Sequence, residues 1–336
     1  MRVFGVAIIA AFLMAGGAAA QTLDDVRERG YLSCGVNTGL AGFASPNEDG
    51  EWEGFDVDYC RAMAAAIFGD ASAVRYRALT SQERFTALQS SEIDVLSRNT
   101  TWTFTRDVSV GVDFAGVNYY DGQGFLVPAA LGVESALELD GARICVQTGT
   151  TTELNLADFF RANDMTFETV VIQTAEESRR NYLAEACDAY TTDISGLAAV
   201  RATLPEPSAH IILPEVISKE PLGPVVRQGD HQWADLARWV LNATIAAEEL
   251  GITSENVNEM RENSDNPNIL RLLGTEGDLG TQTGLDAGWA YNVISQVGNY
   301  GESFDRNIGA GSPLGLERGL NAQWYDGGIL YAPPLR

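Results

Sequence analysis

The chain is poor in the residues that ligate metals and in those that grip polyanions. Two histidines, His210 and His231, occur in 336 residues, and neither has a metal-ligand neighbour nearby in sequence, which argues against a zinc site. Arginine and lysine total 22 against 46 aspartates and glutamates, a net charge of −24. Contact with nucleic-acid phosphates or anionic lipid is therefore not expected. No apolar run approaches the ~20 residues that a bilayer-spanning helix needs. Cysteines number four, Cys34, Cys60, Cys145 and Cys187, and no two form a Cys-x-x-Cys pair. No metal or cofactor is implied.

What is present begins with an export signal. Arg2 precedes the apolar run Val3 to Leu13, small residues lead to Ala18-Ala19-Ala20, and polar Gln21 follows. That order reads as a cleavable signal peptide over residues 1–20, cut after Ala20. The first cysteine after the cut is Cys34, so the expectation is a periplasmic protein without a lipid anchor. An even cysteine count in an exported chain favours disulfides. Three connectivities are open; Cys34 with Cys60 and Cys145 with Cys187 is preferred, because each pair would tie an early strand to the helix or strand that follows it within one lobe. The length left after cleavage suits two lobes of ordinary domain size.

Strand and helix patterns alternate along the chain. Tyr31 to Val36 reads as a strand, and Phe55 to Ile67 carries apolar residues at helical spacing. Ser81 is placed to cap a second helix with Phe85 and Leu88 inward, and Ile93 to Leu96 reads as a short buried strand. The same order restarts at Arg143 to Gln147 and runs through a helix near Glu153 to Phe160 and a strand near Thr169 to Gln173. A helix near Glu176 to Ala186 and a strand around Ala189 to Thr192 complete it. Two α/β units with parallel sheets are implied. Asn118 to Pro128 and Leu213 to Val226, rich in glycine and proline, suit extended crossings between the units. Trp233 to Ile245 is one amphipathic helix back in the first unit, and the remaining tail reads as packing around it. The expected division is 21–122 with 220–336 for lobe one and 123–219 for lobe two.

Open α/β sheets bind ligands beyond the carboxyl ends of their strands. Three segments leave such ends. Ser97 to Arg106 sets four threonines before an arginine, whose guanidinium can grip a carboxylate with two parallel bonds; on composition alone Arg106 could equally sit in a surface ion pair. Thr148-Gly149-Thr150-Thr151-Thr152 opens a helix, where free amides and hydroxyls attract an anion or merely cap the helix. Asp193 ends the strand after Thr192, where it could hold an ammonium or cap the next helix.

Taken in order, these segments resemble the polar amino-acid-binding proteins of ABC uptake systems, the group with the type II periplasmic binding fold. The residues that carry the resemblance are Gly54-Phe55-Asp56-Val57-Asp58, Phe85 through Asp94, Thr101 through Arg106, Gly149-Thr150-Thr151 and Asp193. The tail motifs Trp289-Ala290-Tyr291-Asn292-Val293 and Gly298-Asn299-Tyr300-Gly301-Glu302 are similar to the general L-amino-acid-binding branch. The resemblance implies two lobes, each a sheet flanked by helices, joined by two hinge strands. It also implies a monomer that hands free L-amino acids to an inner-membrane ABC permease.

Residue by residue, the resemblance implies that Arg106 holds the ligand α-carboxylate with Thr101, Thr150 and Thr151, while Asp193 and the Asn99 carbonyl hold the α-ammonium. Where basic-amino-acid binders of the family carry aspartate, tyrosine and phenylalanine, this chain has Asn37, Leu40 and Ser81. Broad selectivity is therefore expected, glutamate and glutamine included. The same fold also resembles periplasmic dehydratases acting on prephenate or arogenate. That alternative needs a general acid in the cleft, which Asn37, Leu40 and Ser81 do not supply.

Overall fold

Apolar strands alternating with one-sided helices build two separate five-stranded sheets. The computed structural model describes residues 22–336, and the signal peptide expected at 1–20 lies outside them. In the first sheet the strands run Val74–Leu79, Leu32–Asn37, Val95–Leu96, Val225–Arg227, Val112–Phe114. In the second they run Phe167–Ile172, Ala142–Gln147, Ala189–Asp193, Gln123–Pro128, His210–Ile212.

Both sheets are mixed, where the sequence pattern suggested parallel ones. Val225–Arg227 is antiparallel to both its neighbours, as Gln123–Pro128 is in the other sheet. The reason is the crossings. A strand that arrives from the other lobe enters at the cleft edge and so runs against the strands that end there. The crossings themselves meet: Tyr119–Asp121 pairs antiparallel with Glu220–Leu222, setting Glu220 opposite Asp121 in a two-stranded hinge.

Lobe one has the larger core. Trp233, fully buried on the helix His231–Glu249, donates its indole N–H to the Asp94 carbonyl at 3.0 Å. The tail helices Trp289–Val297 and Tyr300–Asn307 add Trp289, Ile294 and Phe304 to the same cluster. Each side chain of this size contributes about 1.5–3 kcal/mol on full burial. In lobe two, Phe125, Ile144, Val146 and Phe160 pack on one side of the sheet and Cys145, Tyr190 and Leu197 on the other.

The helix Phe55–Phe68 is the frame of lobe one. It is entered through Gly54 at φ 130°, where a Cβ would lie 2.2 Å from the Phe43 carbonyl oxygen, so only glycine closes the turn. A disulfide joins its Cys60 to Cys34 of the first strand, and Cys145 is joined to Cys187 in lobe two. Its Asp58, buried, ties down the tail: Ser303 Oγ, Arg306 Nε and Asn307 Nδ2 all donate to Asp58 Oδ2, at 2.7, 3.0 and 2.6 Å. Removing that acceptor from charged and polar donors should lower stability by about 2–3 kcal/mol. Urea unfolding of Asp58→Ala checks this, and an unchanged midpoint would show that the tail is held by its apolar contacts alone.

Candidate functional site in the cleft between the lobes

The loop that leaves the strand Val95–Leu96 forms the lobe-one wall of the cleft. Asp56, in the first turn of the helix Phe55–Phe68, reaches across to accept from Asn99 N at 2.9 Å and Ser97 Oγ at 3.1 Å. Asn99 is left-handed at φ 32°, a conformation asparagine tolerates, and its side-chain oxygen accepts from Asn37 Nδ2 at 3.1 Å. Thr103 then caps the helix Phe104–Ser109, accepting from Arg106 N at 3.3 Å. This turns the Arg106 side chain inward, where Nη1 donates to the Thr101 carbonyl at 2.8 Å and the guanidinium faces the Phe85 ring.

Lobe two supplies the facing wall. Thr150 caps the helix Thr151–Ala162 through Glu153 N at 3.1 Å, so its hydroxyl has a structural bond of its own. Thr151 Oγ1 lies 3.3 Å from Thr101 Oγ1 across the cleft and donates to Glu220 Oε2 at 2.8 Å. Asp193 stands just before the helix Ile194–Ala202, and its carboxylate makes no capping bond. The capping alternative therefore falls.

A small, partly open polar pocket of about 20 Å³ lies between these walls, lined in part by Ser81, Asn99, Thr101, Thr150, Thr151 and Asp193. Arg106 stands behind Thr101, outside this lining. Of the remaining expected residues, Asn37 braces Asn99 from behind, and Leu40 is buried in the lobe-one core beside a different inter-lobe groove. Ser81 does not cap a helix: Thr80 Oγ1 accepts from Glu83 N at 3.3 Å instead, and Ser81 turns into the cavity. The cavity also takes Arg84 and Arg98, and the hinge adds Glu220, none of which the sequence reading assigned. A signal existed for Arg84, which shares its helix face with inward Leu88 four residues on.

Charge is dense here and almost wholly buried. Burial pushes the Asp193 carboxyl well above its usual range, with Asp121 and Glu220 adding repulsion, while Asn99 and Arg106 oppose the rise. Asp121 on the hinge is pushed up to about 6 by burial, against bonds from Ser195 and Gly122. Asp56 is likewise raised to about 6 by burial, against its bonds from Asn99 and Ser97. Burial lowers Arg106 from its ordinary value, and Glu220 and Asp193 partly restore it. The arrangement sets a buried cation of lobe one near a buried acid of lobe two. Among the described residues no group of acidic, cysteine and histidine side chains is set to hold a metal ion.

The chain matches the bacterial extracellular solute-binding proteins, family 3, over residues 32–256. It is 59% identical over 333 residues to the glutamate/glutamine/aspartate/asparagine-binding protein BztA of Rhodobacter capsulatus, covering 99% of this chain and 98% of that one. It is 59% identical over 339 residues to the general L-amino acid-binding periplasmic protein AapJ of Rhizobium johnstonii, covering 100% and 99%. A solved ABC transporter periplasmic binding protein from Brucella ovis with glutathione bound is 61% identical, with a TM-score of 0.92 over 94% of this chain and 100% of that one.

The raised carboxyls fix the sign of a pH effect. Asp56 and Asp121 hold protons more tightly in the folded chain than an unfolded carboxylate does. Their ionisation therefore disfavours the fold, in full above about pH 6, and that penalty is relieved as pH falls from about 6 toward the ordinary carboxylate range at about 4. The Tm of the ligand-free protein should rise as pH falls from about 6.5 to about 4.5. A steady fall over that range, by scanning calorimetry, would contradict these assignments.

Proposed function

We propose, from the premise that the chain belongs to the family 3 bacterial extracellular solute-binding proteins, that its cleft captures free L-amino acids over a broad range and presents them to an inner-membrane ABC permease. The observation that carries this reading is that Arg106 of lobe one and Asp193 of lobe two stand close enough to feel each other's charge, while the Thr101 and Thr151 hydroxyls meet across the cleft at 3.3 Å. In this reading Arg106 holds the α-carboxylate, helped by Thr101, Thr151 and the amides that open the Thr151–Ala162 helix; Thr150 orders that turn. Asp193 and the Asn99 carbonyl hold the α-ammonium. Every L-amino acid carries both groups, which supports breadth.

Each lobe alone supplies half of the contacts. A ligand that touches both is bound more tightly when the cleft is closed, so it shifts the population toward the closed form that the permease meets. The chain is a binding protein and not an enzyme: relatives that span nearly its whole length are named as binding proteins, and the dehydratase alternative is dropped. Glutamate and glutamine are proposed among its ligands, supported by the name of the Rhodobacter relative. The Brucella structure holds glutathione, whose γ-glutamyl end presents the same α-groups. A monomer, cleaved after Ala20 and not lipid-anchored, completes the proposal.

A charged hydrogen bond contributes about 1.5–3 kcal/mol, so Arg106→Ala should weaken L-glutamate binding by about 10- to 100-fold. Calorimetry on protein refolded to strip carried ligand checks this; unchanged affinity would remove Arg106 from the site. In a thermal-shift panel of the twenty amino acids, several should raise Tm. Stabilisation by one alone would overturn the broad range.

A further inference from the structure

The α-ammonium and α-carboxylate leave part of the pocket lining without a role. Arg84, Arg98 and Ser81 line it and are 2%, 2% and 3% exposed. Each carries a buried polar atom with no partner: Arg84 Nε, Arg98 Nη2 and Ser81 Oγ. Their other bonds only position them. Arg84 Nη1 donates to Thr100 Oγ1 at 3.3 Å, and Arg98 Nε donates to the Leu79 carbonyl at 2.9 Å. A buried donor left unpaired costs about 1–3 kcal/mol, and three such atoms sit on residues that line one small space.

The charge balance points the same way. Burial lowers Arg84 well below its ordinary value, with repulsion from Arg106 and Arg98 adding to the fall, and burial lowers Arg98 to about 10. Asp56 lies near Arg98 and Asp193 near both guanidiniums, but the hydrogen bonds these anions accept come from other groups. Asp56 accepts from Ser97 and Asn99, Glu220 accepts from Thr151, Asn155 and Ser218, and Asp193 is assigned to the ligand ammonium. A zwitterion with a neutral side chain brings no net charge to offset these guanidiniums. A ligand with a second carboxylate does, and its two oxygens offer about four acceptor positions to the unpaired donors.

The geometry points to a side-chain subsite formed by Arg84, Arg98 and Ser81, which takes a terminal carboxylate, and less tightly a carboxamide, on a short side chain. Within its broad range the protein thus ranks acidic amino acids first, their amides next, and basic ones last. The subsite rests on the amino-acid reading of the cleft.

The test is calorimetry on the refolded, ligand-free chain with L-glutamate, L-glutamine, L-leucine and L-lysine. L-Glutamate should bind at least about 10-fold tighter than L-leucine, and L-lysine weakest. Arg84→Met should weaken L-glutamate about 30-fold and change L-leucine less than about 3-fold, a ratio that a merely structural role would not move. Should that variant fail to fold, Ser81→Asp sets a like charge in the subsite, lowering L-glutamate and raising L-lysine affinity. Equal binding of L-glutamate and L-leucine by the parent chain overturns the subsite, as does a parallel loss of both in Arg84→Met or no change of ranking in Ser81→Asp. Absence of binding by all four instead overturns the amino-acid reading itself.

Discussion

The cleft depends on one buried carboxylate, Asp56. Its two oxygens hold the backbone N–H of Asn99 and the hydroxyl of Ser97, and so fix the loop from which Arg98, Asn99, Thr101 and Arg106 are presented. Burial alone would favour the protonated form of this acid, but the bonds to the loop use its ionised oxygens, as does the neighbouring Arg98 charge. Electrostatic cost and loop geometry are thus joined in one residue. Gly54 makes the arrangement reachable, because only a residue without a side chain brings the helix start this close to Phe43.

Around that anchor the cleft balances charges that neither lobe could hold alone. Lobe one contributes Arg84, Arg98 and Arg106, whereas Asp193 comes from lobe two and Asp121 and Glu220 from the paired hinge strands. Opening the lobes would separate the Thr101 and Thr151 hydroxyls and let water reach both sets of charges. Closing them concentrates opposite charges around a small polar space. The hinge therefore does electrostatic work as well as mechanical work.

Much of this was legible in the sequence, for reasons that differ by residue. Thr101, Thr151, Asn99 and Asp193 follow the ends of apolar strands, and a polar run after a buried strand has one obvious place to go. The βαβ order followed from apolar spacing in the same way. Arg84 and Glu220 were not read because charged residues on a short helix and in a crossing ordinarily face water; only the packed fold shows them to be buried. Arg98 lay inside the segment identified as cleft-forming, but nothing in one sequence tells that both arginines of that segment, eight residues apart, turn inward. The mixed sheets were missed because strand direction depends on which lobe a crossing comes from, and no local pattern records that. Leu40 went to the core, where its apolar side chain belongs.

The order of the chain has a consequence for how such a molecule is made. Lobe two is one continuous stretch with its own disulfide, Cys145 to Cys187, whereas lobe one needs the helix His231–Glu249 and the tail to cover its sheet. A chain threaded outward from its N-terminus would deliver all of lobe two before the half-built first lobe receives its lid. During that interval Leu32, Val36 and Val57 of lobe one stand uncovered while the second lobe is already whole. Export of this protein is then a problem of timing, with the first segment to emerge the last to be finished.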